Sequence, residues 1–195
     1  MSQPATSPET IEIDLRNPVV AGVLGWLIPG AGHLYQRRFA KGLLFMICIL
    51  GTYFFGLTLG GGHVVYASTA KEDFRWHYFC QVGVGAPALP AVVQAMRVRQ
   101  QKEPFFGGLM APPRNVLGPG EPNSAERIRQ DELTQWHLTY HSYFELGTLY
   151  TMVAGLLNIL AVYDAVGGPV LIVAEEDDKS QKKSPPKTND PGTST

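Results

Sequence analysis

Residues 18–62 read PVVAGVLGWLIPGAGHLYQRRFAKGLLFMICILGTYFFGLTLGGG, and this stretch decides the fold. Two apolar runs flank a short basic turn, Gln36-Arg37-Arg38-Phe39-Ala40-Lys41. Apolar residues this continuous, with cations confined to the connection, make a helical hairpin meant for a bilayer. Pro18 suits the first turn of its first helix. Pro29-Gly30 interrupts that helix near its end, because proline lacks an amide proton. A complete tilted span over Val19–Tyr35 is the reading carried forward. The alternative is a shorter, re-entrant helix followed by a bent PGAGH segment. Phe39–Leu59 is the most secure span, ending at Gly60-Gly61-Gly62.

The rest of the chain repeats this clumping. A net charge of −1 and 45% hydrophobic residues would describe an ordinary soluble protein if spread evenly. Instead no Asp, Glu, Lys or Arg occurs from Trp76 to Met96. About 20 helical residues span about 30 Å, the depth of the hydrocarbon core. The near-zero charge argues against a nucleic-acid binder, which would show a basic surface or stripe. Cys48 and Cys80 each fall inside an apolar run and read as buried thiols rather than a disulfide framework.

Taken in order, 1–17 is a polar N-terminal tail without the basic region of a secretory signal, so the first span should be retained. The hairpin fills 18–62 and a loop fills 63–75. The third span, 76–96, contains GVGAPALPA, where Pro87 and Pro90 should bend it. A Pro/Gly-rich connection follows over 97–122. Over 123–166 an amphipathic helix, carrying Leu133, Trp136, Tyr140 and Phe144 on one stripe, runs into the fourth span. Gly147, Thr151 and Gly155 form a small-residue ridge for a neighbouring helix. The tail, 167–195, has little to bury and should be disordered. The expected fold is therefore all-α: an integral membrane protein with four transmembrane helices, a long cytoplasmic connection and disordered tails.

Four spans place the Arg37–Lys41 turn and the Arg97, Arg99, Lys102 segment on one side, which cation bias makes cytoplasmic. Both termini then lie outside. On this topology His33, His137 and His141 share a side with Glu145, and His137, His141 and Glu145 recur every fourth residue. Two histidines four apart can share a metal, with His33 as a further ligand. Hydrogen bonding at the headgroup level is the plainer role for these rings. Glu145, one turn inside a span, needs a partner, and Arg37 or Arg38 is the candidate. Asp164 is assigned Lys71 or Arg75. Asn158 should make an interhelical hydrogen bond, or line a transport path. Arg37, Arg38 and Lys41 are placed to contact lipid headgroups or an acidic partner. No GxSxG, HExxH, GxxxxGK or CxxC motif occurs, so no catalytic residue and no cofactor is assigned.

The segment PGAGHLYQRRFAKG, with its Pro-Gly turn, Tyr35 and Lys41-Gly42, resembles the bacterial two-helix membrane hairpin with a PGxGxxYxxxxxKG signature. Gln36-Arg37-Arg38 stands where many such hairpins have a glycine after the tyrosine. The last span, ELGTLYTMVAGLLNILAVYDA, is similar to part of an uncharacterised family of small multi-pass proteins of unknown function. The resemblance implies a multi-pass membrane protein and carries no site residues.

Together these features describe a multi-pass protein of the cell (inner) membrane that acts as a structural or interaction module. Its partners would be membrane lipids and a membrane-protein partner or second copy, not nucleic acid. The rivals are a small transporter or channel subunit, and an interfacial metal or enzymatic site at His33, His137, His141 and Glu145.

Overall fold

The computed structural model describes residues 17–69, 74–118, 120–121 and 124–167. The expectations of disordered tails, and of Lys71 as a partner for Asp164, fall outside these residues. Within them the chain is all-helical. Two long helices form the frame: α3, Phe39–Leu59, and α8, Ser142–Gly167. At 1.5 Å per residue they are about 32 and 39 Å long. They run antiparallel. Lys41, early in α3, contacts Asp164 near the end of α8, while Gly56, late in α3, lies against Gly147 near the start of α8. A methyl group at Gly56 would sit 2.8 Å from the Gly147 carbonyl oxygen, so the two backbones touch.

Four of the remaining helices form two hairpins, each reaching only partway along this frame. The first is α1, Pro18–Leu27, with α2, Ala31–Tyr35. The Asn17 side chain caps α1 by accepting from the Val19 amide at 3.0 Å. Ile28 is extended, as the residue before a proline prefers, and Gly30 turns the chain with φ +82°. A side chain on Gly30 would strike the Gly42 carbonyl of α3. The short α2 then folds back along α1, with Gly32 against the Ala21 backbone and Ala165. Gly22 faces Val166 and Gln36 donates to the Ala165 carbonyl at 2.6 Å, so the hairpin enters and leaves beside the C-terminal end of α8.

The second hairpin starts from the opposite end. α4, His77–Gln81, continues through a 3₁₀ turn at Val82–Val84 and descends along α8. Arg75 is level with Thr148, Gln81 with Thr151 and Gly83 with Asn158. At Gly85 the backbone adopts φ +84°, ψ −133°, a region essentially reserved for glycine. The chain reverses there, and a second 3₁₀ turn and α5, Pro90–Arg99, climb back. Gln94 anchors the return, donating to the Phe105 and Leu109 carbonyls at 2.8 and 3.0 Å.

A cap closes the end where this hairpin begins. It comprises 100–118 and two helices, α6, Ala125–Gln130, and α7, Glu132–Tyr140, started by the Ser124 and Asp131 side chains. α7 packs Leu133, Trp136 and Tyr140 against the buried core, where Trp136 meets the Tyr66 and Phe144 rings.

Several expectations are corrected here. Among the described residues two helices, rather than the four expected, are long and apolar enough to cross a membrane. Residues 18–35 and 76–96 form turned-back hairpins because Pro29-Gly30 and Gly85 reverse the chain. The Arg37–Lys41 turn and the Arg97–Lys102 segment consequently lie at opposite ends of α8. The helix expected over 123–166 is interrupted at Asp131 and at His141, where φ is +48°. The outward faces of α3 and α8 expose Leu43, Ile47, Phe54, Leu149, Leu156 and Leu160. Only 28% and 39% of their apolar windows are buried.

Candidate functional site

The inward face of α8 carries Thr148, Thr151, Asn158 and Asp164, and it binds both hairpins through polar contacts. At the capped end the Arg75 guanidinium donates to Thr148 Oγ1 at 3.0 Å and to the Val64 carbonyl at 3.1 Å. It lies over the Tyr66 ring at 4.4 Å, a geometry that stabilises a cation away from water. One turn on, Gln81 Nε2 donates to Thr151 Oγ1 at 2.9 Å and to the same Val64 carbonyl at 3.1 Å.

Asn158 occupies the place where the two hairpin tips meet. Its Nδ2 donates to Gly83 of the second hairpin at 3.0 Å, and to Gly25 and Trp26 of the first at 3.2 and 3.4 Å. The side chain is fully buried, and Oδ1 has no partner among the described residues. The carbonyls it gathers belong to the C-terminal turns of two short helical segments. Such carbonyls lack intrahelical donors, and Asn158 supplies one amide group to both tips. A side chain on Gly85 would run into the Trp26 carbonyl, so the tips are in backbone contact.

At the opposite end of α8, Asp164 Oδ2 accepts from His33 Nε2 at 2.6 Å and from Lys41 Nζ at 2.6 Å, with Arg38 at 3.9 Å. His33 is 1% exposed while Asp164 is partly open. The cluster ties the first turn to the last helix. Gly30, Gly32, Gly42 and Lys41 of the PGAGHLYQRRFAKG segment thus act in this chain as packing and pairing residues.

This geometry disperses the expected histidine site. His33 is at the Asp164 end of α8, whereas His137, His141 and Glu145 are at the other. His137 Nε2 meets Glu145 at 3.2 Å, both exposed. His141 sits outside the helix in a positive-φ conformation and cannot continue the stripe. Among the described residues no group of three or more His, Cys, Asp or Glu could hold a metal. Glu145 pairs with His137 and not with Arg37 or Arg38, which belong to the far end. Asp164 pairs with the first turn and not with Arg75. Arg37 is exposed.

Two recesses lie at the capped end. One, of about 270 Å³, is lined by His63, Glu103, Arg114, Glu132 and Trp136. Arg114 bridges Glu132 and Glu103 there, at 3.0 and 3.7 Å. His63 stacks on Trp136 at 4.5 Å, and burial holds its pKa below the usual value despite an opposing pull from Glu132. The other is a groove of about 590 Å³ between α4, α5 and residues 67–69, lined by Arg75, Arg99, Phe79, Val92 and Met96 among others.

The sequence marks Arg75 only as a candidate partner for Asp164, and nothing in its motifs singles out Gln81 or Gln94. The two glutamines carry a usable signal, since both are amides inside the charge-free run Trp76–Met96 and need partners when buried.

A family model described as a family of unknown function, DUF6677, matches residues 20–178. No curated protein and no solved structure matches the chain.

Proposed function

We propose, for a chain that belongs to the DUF6677 family of unknown function, a role as a structural or interaction module embedded in the cell (inner) membrane. In this reading α3 and α8 cross the bilayer, and the two hairpins are re-entrant from opposite faces. The observation that carries it is the exposed apolar flank of both long helices, joined to an interior of polar ties. Aqueous solvent would penalise Leu43, Ile47, Leu149 and Leu160 left open, whereas lipid accepts them. Non-helical backbone at membrane depth is tolerated where protein buries it, and the contact of Gly85 with Trp26 supplies that burial. The capped end offers a polar surface, with Glu103, Arg114 and Glu132, for a protein partner. The turn with Arg37 and Lys41 faces headgroups on the other side.

Sidedness tests this reading. With Cys48 and Cys80 replaced, single cysteines at Arg37 and Lys102 are labelled in sealed vesicles by an impermeant maleimide. Opposite accessibility is expected. Labelling from one side, or release of the protein by alkaline carbonate, overturns the topology.

A small transporter or channel subunit is a second reading, favoured by the opposed re-entrant tips. Interrupted helices near the midplane hold substrate or ion sites in many transporters. Ion-flux measurements on the purified protein in liposomes separate the two: a module leaves the liposomes as tight as empty ones.

A further inference from the structure

The groove between the legs of the second hairpin has a polarity along its length. Arg75 and Arg99 stand at the ends of the legs nearest the cap, beside Ser68 and Thr69. Phe79, Val92 and Met96 line it one to two turns deeper. No carboxylate is among the described residues that line it. Arg99 donates to Thr69 Oγ1 and is otherwise exposed. Arg75 is 9% exposed. Its charge meets aromatic rings, a carbonyl and a hydroxyl, but no carboxylate within ion-pair distance among the described residues, and its Nε has no hydrogen-bond partner there. A buried cation without a counter-charge is costly, and a nearby anion offsets that cost.

We propose that this groove is a binding site for one anionic phospholipid of the cap-side leaflet. The phosphate lies at Arg99, within the field of Arg75, and one acyl chain follows Phe79, Val92 and Met96 toward the tip of the hairpin. Cations at the level of the headgroups with an apolar trough beneath them match the two halves of such a lipid, and basic pockets between membrane helices bind acidic headgroups in this way. The inference rests on the membrane reading.

Native mass spectrometry of the full-length protein tests it, after delipidation and return of phosphatidylglycerol or phosphatidylcholine. One phosphatidylglycerol should be retained in preference. Arg99→Ala should weaken that retention about fivefold, the worth of one interfacial cation, and leave phosphatidylcholine unchanged. Ala95→Trp, which fills the trough and keeps both arginines, should lower retention of both lipids. Equal retention of the two lipids by the wild type, indifference to both substitutions, or displacement of phosphatidylglycerol by inorganic phosphate overturns the proposal. A protein that stays in carbonate-washed membranes yet shows no lipid preference sinks the site alone. One that washes off sinks the membrane reading.

Discussion

Replacing Asn158 by leucine should loosen both hairpins at once. Leucine has the heavy-atom branching of asparagine but bulkier methyl ends, so the substitution removes the hydrogen bonds and adds an overpacking cost. Asn158 Nδ2 has two hydrogens to share among three carbonyls, at 3.0, 3.2 and 3.4 Å, so two bonds are lost. Interhelical hydrogen bonds in membranes average about 0.6 kcal/mol and reach about 1.7. Two of them amount to roughly 1–3 kcal/mol. The stranded carbonyls of Gly25, Trp26 and Gly83 add a further cost where water cannot reach them. Reversible unfolding in mixed micelles, titrated with a denaturing detergent and followed by helical circular dichroism, measures the difference. Leu160→Ala, on the exposed face of α8, is the control and should stay within about 0.5 kcal/mol of wild type. If Asn158→Leu were as stable as this control, the tips would not be held by Asn158, and the account of the bundle's middle would be wrong.

Gly85→Ala and Gly107→Ala both place alanine at positive φ, +84° and +64°, but a Cβ at Gly85 meets the Trp26 carbonyl while one at Gly107 meets nothing within 4 Å. The first should therefore fail to accumulate or unfold well before wild type, while the second should cost only the backbone strain of about 1–2 kcal/mol, as read by the same titration. Asp164→Asn should lower stability by about 1–3 kcal/mol, because buried His33 loses a charged acceptor, and Lys41→Ala should lower it less. His63 has a depressed pKa in the folded protein, so the unfolded chain takes up its proton first as pH falls. Its contribution to stability is complete above the ordinary histidine value and declines below about 6.5 toward the lower folded value. Unfolding titrations at pH 7.5 and 5.5 should differ more for wild type than for His63→Gln.

Much of the frame was readable from residue order. The Phe39–Leu59 span and the small residues of α8 announce themselves by length and by the 147, 151, 155 spacing. The depth of each hairpin was not readable. Val19–Tyr35 and Trp76–Met96 are each apolar for about a membrane's thickness, and hydropathy does not distinguish a crossing from a reversal. Pro29 and Pro87 mark a disturbance without stating its angle. What decides is backbone at Gly30 and Gly85 pressed against carbonyls of residues distant in sequence. One such misreading moves every later segment to the other side. Reading Trp76–Met96 as a crossing therefore assigned Asp164 to Arg75 and gathered His33 with His137.

The tie between Asn158 and the first hairpin joins residues 133 positions apart. Ribosomes add about 5–20 residues per second, so Gly25 and Trp26 wait roughly 7–27 seconds before Asn158 is polymerised. For that interval the N-terminal half-helices must rest against α3, against the second hairpin once it is made, or against an insertion factor. A nascent chain stalled before α8 should be prone to proteolysis, and the last described helix then serves as the step that completes assembly.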